Sequence, residues 1–188
     1  MSTVIASVDR RSPAQLAGIK PGEQLLTING HEIIDVLDYR FYGYDADSHL
    51  TLREPDGAQR AVHIRKQEGQ DLGLNFDTYL MDEMRSCANH CIFCFVDQMP
   101  PGMRQTLYFK DDDARLSFLL GNYITLTNLT EREAQRIIDL HICPINVSVH
   151  TTDPQLHCTM LGNKNAGRSL EYIRAFCKAG IVMNCQIV

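Results

Sequence analysis

The stretch "NYITLTNLTEREAQRIIDLHICPINVSVHT", residues 122–151, contains a β-rich run, a helical segment and a second β-rich run. The helix is predicted to begin at Thr130, because Thr130 and Glu133 form the spacing of a capping box. The second run is rich in valine and isoleucine, which is typical of a strand. Strands that alternate with helices at this spacing predict βαβ units and a parallel sheet.

The same alternation continues toward the C-terminus. The segment "DPQLHCTMLG" predicts a short helix with Asp153 as its cap, Pro154 at its first position and Gly162 at its end. A longer helix, "AGRSLEYIRAFCKAG", is predicted to end at Gly180 and to lead into a last apolar strand, "IVMNCQIV". Residues 77–188 are therefore predicted to form an α/β domain with a parallel sheet.

Polar residues stand at the carboxyl ends of two predicted strands, where active sites of parallel sheets lie. Thr127 and Asn128 end the first strand, and Ser148 and His150 end the next one. We expect these side chains on one rim of the sheet. For His150 a purely structural role is an equal alternative.

A second motif precedes this sheet. The segment "RSCANHCIFCFVDQMPPG", residues 85–102, carries Cys87, Cys91 and Cys94, with His90 among them. The three thiols can hold zinc, hold an iron–sulfur cluster, or fill a core. Structural zinc sites commonly use two separated pairs of ligands, and no second pair lies near these three cysteines. His90 is a poor candidate for a fourth zinc ligand, because adjacent residues such as His90 and Cys91 seldom both reach one tetrahedral ion. Three thiolates on a [4Fe–4S] cluster leave one iron without a protein ligand, which suits direct binding of a substrate or cofactor.

Residues 1–66 predict a separate small β-rich domain. The segment "SPAQLAG" is a short helix with Ser12 as its N-cap. The pair Asn29–Gly30 predicts a hairpin turn, and a helix starts near Asp35. The runs "HLTLRE" and "AQRAVHIR" alternate like half-buried strands around a turn at residues 55–57.

Composition limits the class of protein. The 188 residues carry a net charge of −5 and 44% hydrophobic residues, which is ordinary for a globular protein and gives no signal for nucleic-acid binding. No apolar run approaches the ~18–20 residues that span a bilayer, and the N-terminus resembles no secretory signal. We expect a cytoplasmic protein without a membrane partner. Four further cysteines, Cys143, Cys158, Cys177 and Cys185, are expected to be packing residues.

The spacing Cys87-x3-Cys91-x2-Cys94, with Phe93 before the last cysteine, resembles the signature of the radical S-adenosylmethionine (SAM) enzymes. The third and fourth repeats of that family's partial barrel are similar to residues 147–163 and 167–188. With the N-terminal domain, the chain looks like the subgroup that carries the domain of unknown function 512, which would follow beyond Val188. Because the chain stops inside an apolar strand, we expect a truncated product that lacks part of its sheet and is inactive by itself.

The resemblance implies cofactors and roles. The three cysteines would bind a [4Fe–4S] cluster whose open iron chelates SAM, and a reduced cluster would cleave SAM to a 5′-deoxyadenosyl radical that abstracts hydrogen from an unknown substrate. Phe93 would lie beside the adenine, unless it is a core aromatic. The family's Gly-Gly-Glu-like stretch is replaced by "TLTNLTE", so Thr127 and Asn128 would contact SAM in its stead, with Ser148 and His150 as further rim candidates. An electron donor such as a flavodoxin or ferredoxin is implied.

The first domain resembles bacterial PDZ domains in "SPAQLAGIKPGEQLLTINGHEI". The family's carboxylate-binding loop should precede residues 4–8, where the chain starts too late to contain it. The segment "DLGLNF", residues 71–76, looks like that loop displaced by circular permutation; residues 67–76 are otherwise a linker or the first strand of the next domain. The PDZ-like domain makes a polypeptide substrate conceivable, and docking on the neighbouring domain is an equal alternative.

Two alternatives stay open from the sequence. The protein can be an interaction module with a structural metal or cluster and no turnover, or a one-electron carrier. The run Asp111, Asp112 and Asp113 can bind a divalent cation or a cationic substrate, or it can be a solvated helix cap tied to Arg115.

Overall fold

The computed structural model describes residues 3–188, which form two compact units. Unit 1 ends at Glu83, and unit 2 comprises Met84–Val188. Among residues 3–188, no helix is both long and apolar enough to cross a bilayer. A β-rich unit is followed by a mixed α/β unit, which confirms the predicted fold class.

Within residues 3–83, unit 1 consists of six strands and two short helices. Its elements are β1 (Ile5–Val8), α1 (Pro13–Leu16), β2 (Gln24–Ile28), β3 (His31–Glu32), α2 (Val36–Tyr42), β4 (Asp47–Arg53), β5 (Gln59–Arg65) and β6 (Leu74–Phe76). One antiparallel sheet has the strand order β3-β2-β4-β5, and β1 pairs with β6 in a second. The inward residues of β4 and β5 alternate with exposed ones, so a single apolar face is buried.

Side chains at the helix starts of unit 1 follow the predicted pattern. The Ser12 hydroxyl accepts from the Gln15 backbone N–H, and Pro13 occupies the first position of α1. The Asp35 carboxylate accepts from the Leu37 N–H at the start of α2. The hairpin turn at Asn29 and Gly30 also lies where the sequence predicts it.

The segment 67–76 contributes a strand to unit 1. Strand β6 pairs antiparallel with β1, with Leu74 opposite Val8 and Phe76 opposite Ile5. The boundary between the compact units follows Glu83 and so lies later than the predicted boundary at residues 66–77. The physical reason is that the backbone groups of β6 find their hydrogen-bond partners on β1.

Unit 2 alternates helices with parallel strands. Its regular elements are α3 (Ala114–Leu120), α4 (Glu131–Asp139), β7 (Ile145–Ser148), α5 (Pro154–Leu161), α6 (Ser169–Lys178) and β8 (Met183–Gln186). The strands β7 and β8 are parallel, as predicted, and Ile124 forms a parallel bridge to Val147. Short 3₁₀ turns cover Gln105–Tyr108 and Ala166–Arg168.

The core of unit 2 lies between these strands and helices. It includes Ile124, Ile145 and Val147 from the sheet together with Ile137 of α4 and Phe176 of α6, all at most 3% exposed. The capping box of α4 is present as predicted, with Thr130 and Glu133 exchanging hydrogen bonds. The carboxyl ends of the parallel strands β7 and β8 therefore lie on the same side of the sheet.

Residues 122–129 do not form the predicted regular strand. They contribute a single bridge at Ile124, and Leu126 adopts a left-handed backbone with φ of 61°. The Thr125 N–H donates to the Asp112 carboxylate, and the Thr127 N–H donates to the Thr125 hydroxyl. Side chains thus take up backbone donors that a sheet ladder would use.

The four later cysteines are less buried than predicted. Cys143, Cys177 and Cys185 are exposed, and Cys158 is half-buried. The expectation that they fill a core is therefore wrong for the three exposed ones. Their positions fall at element ends and on the outer side of α6 and β8, where the apolar period does not place core residues.

Candidate metal centre

The three predicted ligands lie together on one irregular segment, here named the cysteine loop (residues 86–95). Cys87, Cys91 and Cys94 are free thiols and are half-buried. A backbone bond from the Cys87 N–H to the Lys110 carbonyl oxygen, 2.6 Å long, fixes the start of the loop. A turn closes its end, because the Cys94 N–H donates to the Cys91 carbonyl oxygen.

The middle of the cysteine loop runs along the C-terminal end of α5. The His90 N–H donates to the Leu161 carbonyl oxygen at 2.9 Å, and the Ile92 N–H donates to the Met160 oxygen at 3.0 Å. The last carbonyl groups of a helix have no partner within the helix, so the loop satisfies them. Gly162 ends α5 in the left-handed conformation predicted for a stop.

The buried side chain of Asn89 links the cysteine loop to other segments of unit 2. It is 1% exposed, and its side-chain nitrogen donates to the hydroxyls of Thr125 and Thr127, both at 2.9 Å. Its side-chain oxygen accepts from the Asn163 amide at 2.7 Å. The Lys110 ammonium group donates to the Asn89 backbone oxygen at 3.0 Å. One asparagine between two cysteines therefore joins the loop to three other segments.

Asp112 extends this buried network away from the thiols. Its carboxylate accepts from the Thr125 N–H and from the Thr125 hydroxyl, each at 2.6 Å. Burial raises the pKa of Asp112, although the hydrogen bonds from Thr125 and Thr127 oppose that rise. Asp112 thus fixes the position of Thr125, which accepts a hydrogen bond from the Asn89 side chain.

The acidic run 111–113 is used within the protein. Asp113 caps α3 and forms an ion pair with Arg115, at 2.6 Å, as one sequence alternative predicted. The Asp111 carboxylate accepts from the Asn122 side chain at 2.7 Å. The run is not solvated, however, because Asp112 and Asp113 are 4% and 1% exposed. Each buried carboxylate is stabilised by its own hydrogen-bond or ion-pair partners.

The thiols share an environment that disfavours uncompensated negative charge. Burial raises the pKa of Cys91 to about 11, with further contributions from Cys87 and Cys94. Burial also raises the pKa of Cys87. Three mutually repelling sulfurs fit a cationic centre, which would stabilise the thiolate forms. The donor set therefore fits an iron–sulfur cluster.

Lys110 is the cation beside these thiols. Its ammonium group lies 2.9 Å from the Asp97 carboxylate. Burial by itself would lower the pKa of Lys110, but the hydrogen bond and charge of Asp97, with smaller contributions from Cys94 and Cys87, raise it. Lys110 therefore stays charged at neutral pH and places a positive charge near the loop.

Phe93 and His150 lie in contact at the carboxyl end of β7. Their ring centroids are 4.4 Å apart, with 56° between the ring planes. Burial lowers the pKa of His150, with a smaller contribution from the charge of His157, so its ring is neutral at pH 7. The buried Nδ1 of His150 has no hydrogen-bond partner within residues 3–188. A neutral ring with an unused polar atom is able to receive a ligand group at this rim.

The other predicted rim residues are distributed differently. Thr127 uses its hydroxyl in the network beneath Asn89, and the Asn128 side chain donates to the Ser86 carbonyl oxygen at 2.8 Å. Both therefore contact the cysteine loop. Ser148 is half-buried in β7, and its backbone N–H donates to the Ile124 oxygen.

Sequence reasoning missed Asn89, Asn163 and the loop-contacting role of Gly162. The one available signal for Asn89 is its position, a polar residue between two ligand cysteines. Gly162 was predicted as a helix stop, but its contact with the loop depends on a pairing between distant segments. No local pattern predicts that pairing.

Comparison with known families agrees with this arrangement. A model described as a radical SAM-like domain matches residues 66–188, and a PDZ domain model matches residues 4–53. No curated protein matches the chain. The radical SAM-like match covers well over half of the 188 residues and includes the whole cysteine loop. The chain therefore belongs to the radical SAM-like domain family and carries a PDZ domain at its N-terminal end.

Proposed function

We propose that unit 2 binds a [4Fe–4S] cluster through Cys87, Cys91 and Cys94 and belongs to an enzyme that cleaves SAM reductively. The observation that carries the proposal is the cysteine loop itself, in which three free, half-buried thiols are held by backbone bonds to α5 and by the buried Asn89. Three ligands leave one iron open for SAM. When bound, these cofactors supply a 5′-deoxyadenosyl radical that abstracts hydrogen from a substrate.

The residues of this chain supply position and electrostatics. Asn89 and the end of α5 fix the loop, so that the three sulfurs keep one orientation. Lys110 remains charged and offsets part of the negative charge of the ligands.

Phe93, His150, Thr127, Asn128 and Ser148 are the proposed SAM-side residues. The contact of Phe93 with His150 supports an aromatic surface at the end of β7, against which an adenine could stack. Thr127 and Asn128 support the loop directly, so we assign them a positioning role first. Ser148 is retained as a rim residue on β7.

A polypeptide substrate remains a proposal that rests on unit 1. The N–H groups of Gly73 and Leu74, in the segment that resembles a carboxylate-binding loop, donate to Asp71 at 2.7 Å and to the Tyr39 hydroxyl at 3.3 Å. These internal partners disfavour capture of a peptide carboxylate. In the described chain β6 pairs only with β1, so a peptide strand would have to add at the other edge of β6, where the Leu74 N–H already donates to Tyr39.

The testing experiment is anaerobic reconstitution of the chain with iron and sulfide, followed by SAM and a strong one-electron reductant. We expect a brown protein with about four irons per chain, whose electron paramagnetic resonance spectrum changes when SAM is added. The product expected of the enzyme to which unit 2 belongs is 5′-deoxyadenosine. In the cell, a flavodoxin or ferredoxin is the proposed donor. Cys91→Ala should lose the cluster, whereas the exposed Cys177→Ala is the matched control and should keep it.

Other outcomes distinguish the alternatives. A colourless protein with one zinc per chain that is lost in Cys91→Ala would favour an interaction module with a structural metal. A reducible cluster whose spectrum does not change with SAM would favour an electron carrier. A spectrum in which all four irons have side-chain ligands would contradict the proposal.

A further inference from the structure

The outer face of unit 1 gathers two histidines and an aspartate on neighbouring strands. Asp47 and His49 are two residues apart on β4 and therefore share one face of the strand. His63 on β5 lies directly opposite His49 in the antiparallel register. All three are exposed, while Leu50 and Ile64 on the same strands face the core.

Their ligand atoms lie close together. One atom from each residue lies within 4.8 Å of the others, and His49 Nε2 is 3.5 Å from Asp47 Oδ1. His63 Nε2 is in direct contact with the same oxygen. Adjacent ligands of a tetrahedral zinc ion with ~2.0–2.1 Å bonds are about 3.3 Å apart. Small side-chain rotations therefore convert this cluster into a coordination shell.

The imidazole rings of His49 and His63 stack on each other, and both contact the same Asp47 carboxylate. Their centroids are 4.3 Å apart and their planes differ by 3°. Each histidine ring binds a metal ion through one ring nitrogen, so the two rings together offer two nitrogen ligands. Asp47 places a carboxylate oxygen in contact with His63 Nε2 and beside His49 Nε2. The face thus combines one anionic oxygen with two nitrogen ligands.

We propose that Asp47, His49 and His63 form a binding site for a divalent first-row transition metal ion, such as Zn²⁺, on unit 1. Two imidazoles and one carboxylate suit Zn²⁺, Ni²⁺ and Cu²⁺, whereas Mg²⁺ and Ca²⁺ prefer oxygen ligands alone. The side chains are 41–69% exposed, which leaves the remaining position open to water or to a ligand from another molecule. The three residues of this site belong to unit 1, whereas the cysteine loop belongs to unit 2.

Zn²⁺ binding to the full chain tests the site. The background carries serine at Cys87, Cys91 and Cys94, so that the loop contributes no thiols; if that background does not fold, the wild-type chain with alkylated thiols replaces it. Calorimetric titration with Zn²⁺ should lose one equivalent, or weaken it by about tenfold or more, in His49→Gln and in His63→Gln. His31→Gln, which removes another exposed strand histidine, should leave that equivalent unchanged.

Charge variants separate metal binding from a structural role. Arg65 Nε lies 3.9 Å from Asp47 Oδ2, where its charge competes with a cation. Arg65→Gln should therefore tighten Zn²⁺ binding by about two- to fivefold, and Asp47→Asn should weaken it. Equal Zn²⁺ stoichiometry and affinity in the background and in His49→Gln and His63→Gln would overturn the proposal.

Discussion

Gly162 and His90 are in backbone contact: a Cβ atom built on Gly162 would lie 2.3 Å from the His90 carbonyl oxygen. The backbone at the end of α5 is therefore packed directly against the backbone of the cysteine loop, with no room for a side chain between them. The left-handed φ of 59° at Gly162 adds a second reason for glycine at this position. The geometry of the proposed ligands thus depends on a residue that is not a ligand.

Gly162→Ala should displace the cysteine loop. The methyl group cannot be accommodated without moving the backbone of His90, so we expect a large loss of iron after anaerobic reconstitution. Iron per chain, measured by a colorimetric assay, checks this. Gly121→Ala is the matched control, because Gly121 also ends a helix with positive φ, of 79°, but its Cβ would meet no atom closer than 3.6 Å. Equal iron content in the two variants would contradict the prediction.

Asn89→Ala should weaken both the fold of unit 2 and cluster binding. The change removes the hydrogen bonds that the buried Asn89 side chain makes to the half-buried Thr125, Thr127 and Asn163, at a cost of about 1–3 kcal/mol in the free energy of unfolding. Urea unfolding and iron content measure the two effects. Asn184→Ala removes an exposed asparagine and should change neither. Retention of full stability and iron by Asn89→Ala would show that the network does not position the loop.

Lys110→Met should lower the reduction potential of the bound cluster. A nearby positive charge favours the more negative, reduced state, so its loss makes reduction harder. Potentiometric titration followed by electron paramagnetic resonance measures the shift. Lys178→Met removes a lysine from the last turn of α6 and serves as the control. A potential that rises, or one that shifts equally in both variants, would refute the assigned charge effect.

The stability of unit 2 should fall as the pH drops below 6.5, in part through His157. This residue is fully buried, and burial lowers its pKa from 6.5. The unfolded chain takes up a proton at a higher pH than the folded chain does, so stability present above pH 6.5 is lost as the pH falls toward the folded pKa. The slope contributed by one such group is at most about 1.4 kcal/mol per pH unit.

His157→Gln tests that contribution. The difference in unfolding free energy between wild type and His157→Gln should shrink, or change sign, between pH 7.5 and about pH 5.5, over the range that the lowered pKa defines. Urea unfolding monitored by circular dichroism at several pH values measures it. His141→Gln replaces an exposed histidine and serves as the matched control. A constant difference for His157→Gln would rule out the linkage.

Gly73→Ala should destabilise unit 1. Gly73 has a φ of 81°, and an added Cβ would lie 2.3 Å from the Cβ of Ser12, the N-cap of α1. Gly57→Ala introduces the same kind of backbone strain, at a φ of 93°, with nothing within 4 Å. We expect the Tm of Gly73→Ala to lie about 5 °C or more below that of Gly57→Ala. Equal Tm values would mean that residues 71–76 pack loosely against unit 1.

Local patterns predicted most of the helices and strands of this protein. Ser12, Asp35, Thr130 and Asp153 cap their helices as their positions predict, because capping is a contact between a side chain and a backbone only two or three residues away. The parallel pairing of β7 with β8 likewise follows from the alternation of strands and helices. The cysteine spacing, with its resemblance, led to the family.

Only the tertiary structure decided what holds the cysteine loop. Asn89 meets Asn163, 74 residues away, and Asp112 draws Thr125 out of a regular strand. The cross-strand pairing of His49 with His63 similarly requires the register of β4 and β5. Such contacts depend on how distant segments pack, and buried polar groups take whichever partners that packing supplies. Sequence spacing therefore identified the proposed ligands, while the fold chose the residues that position them.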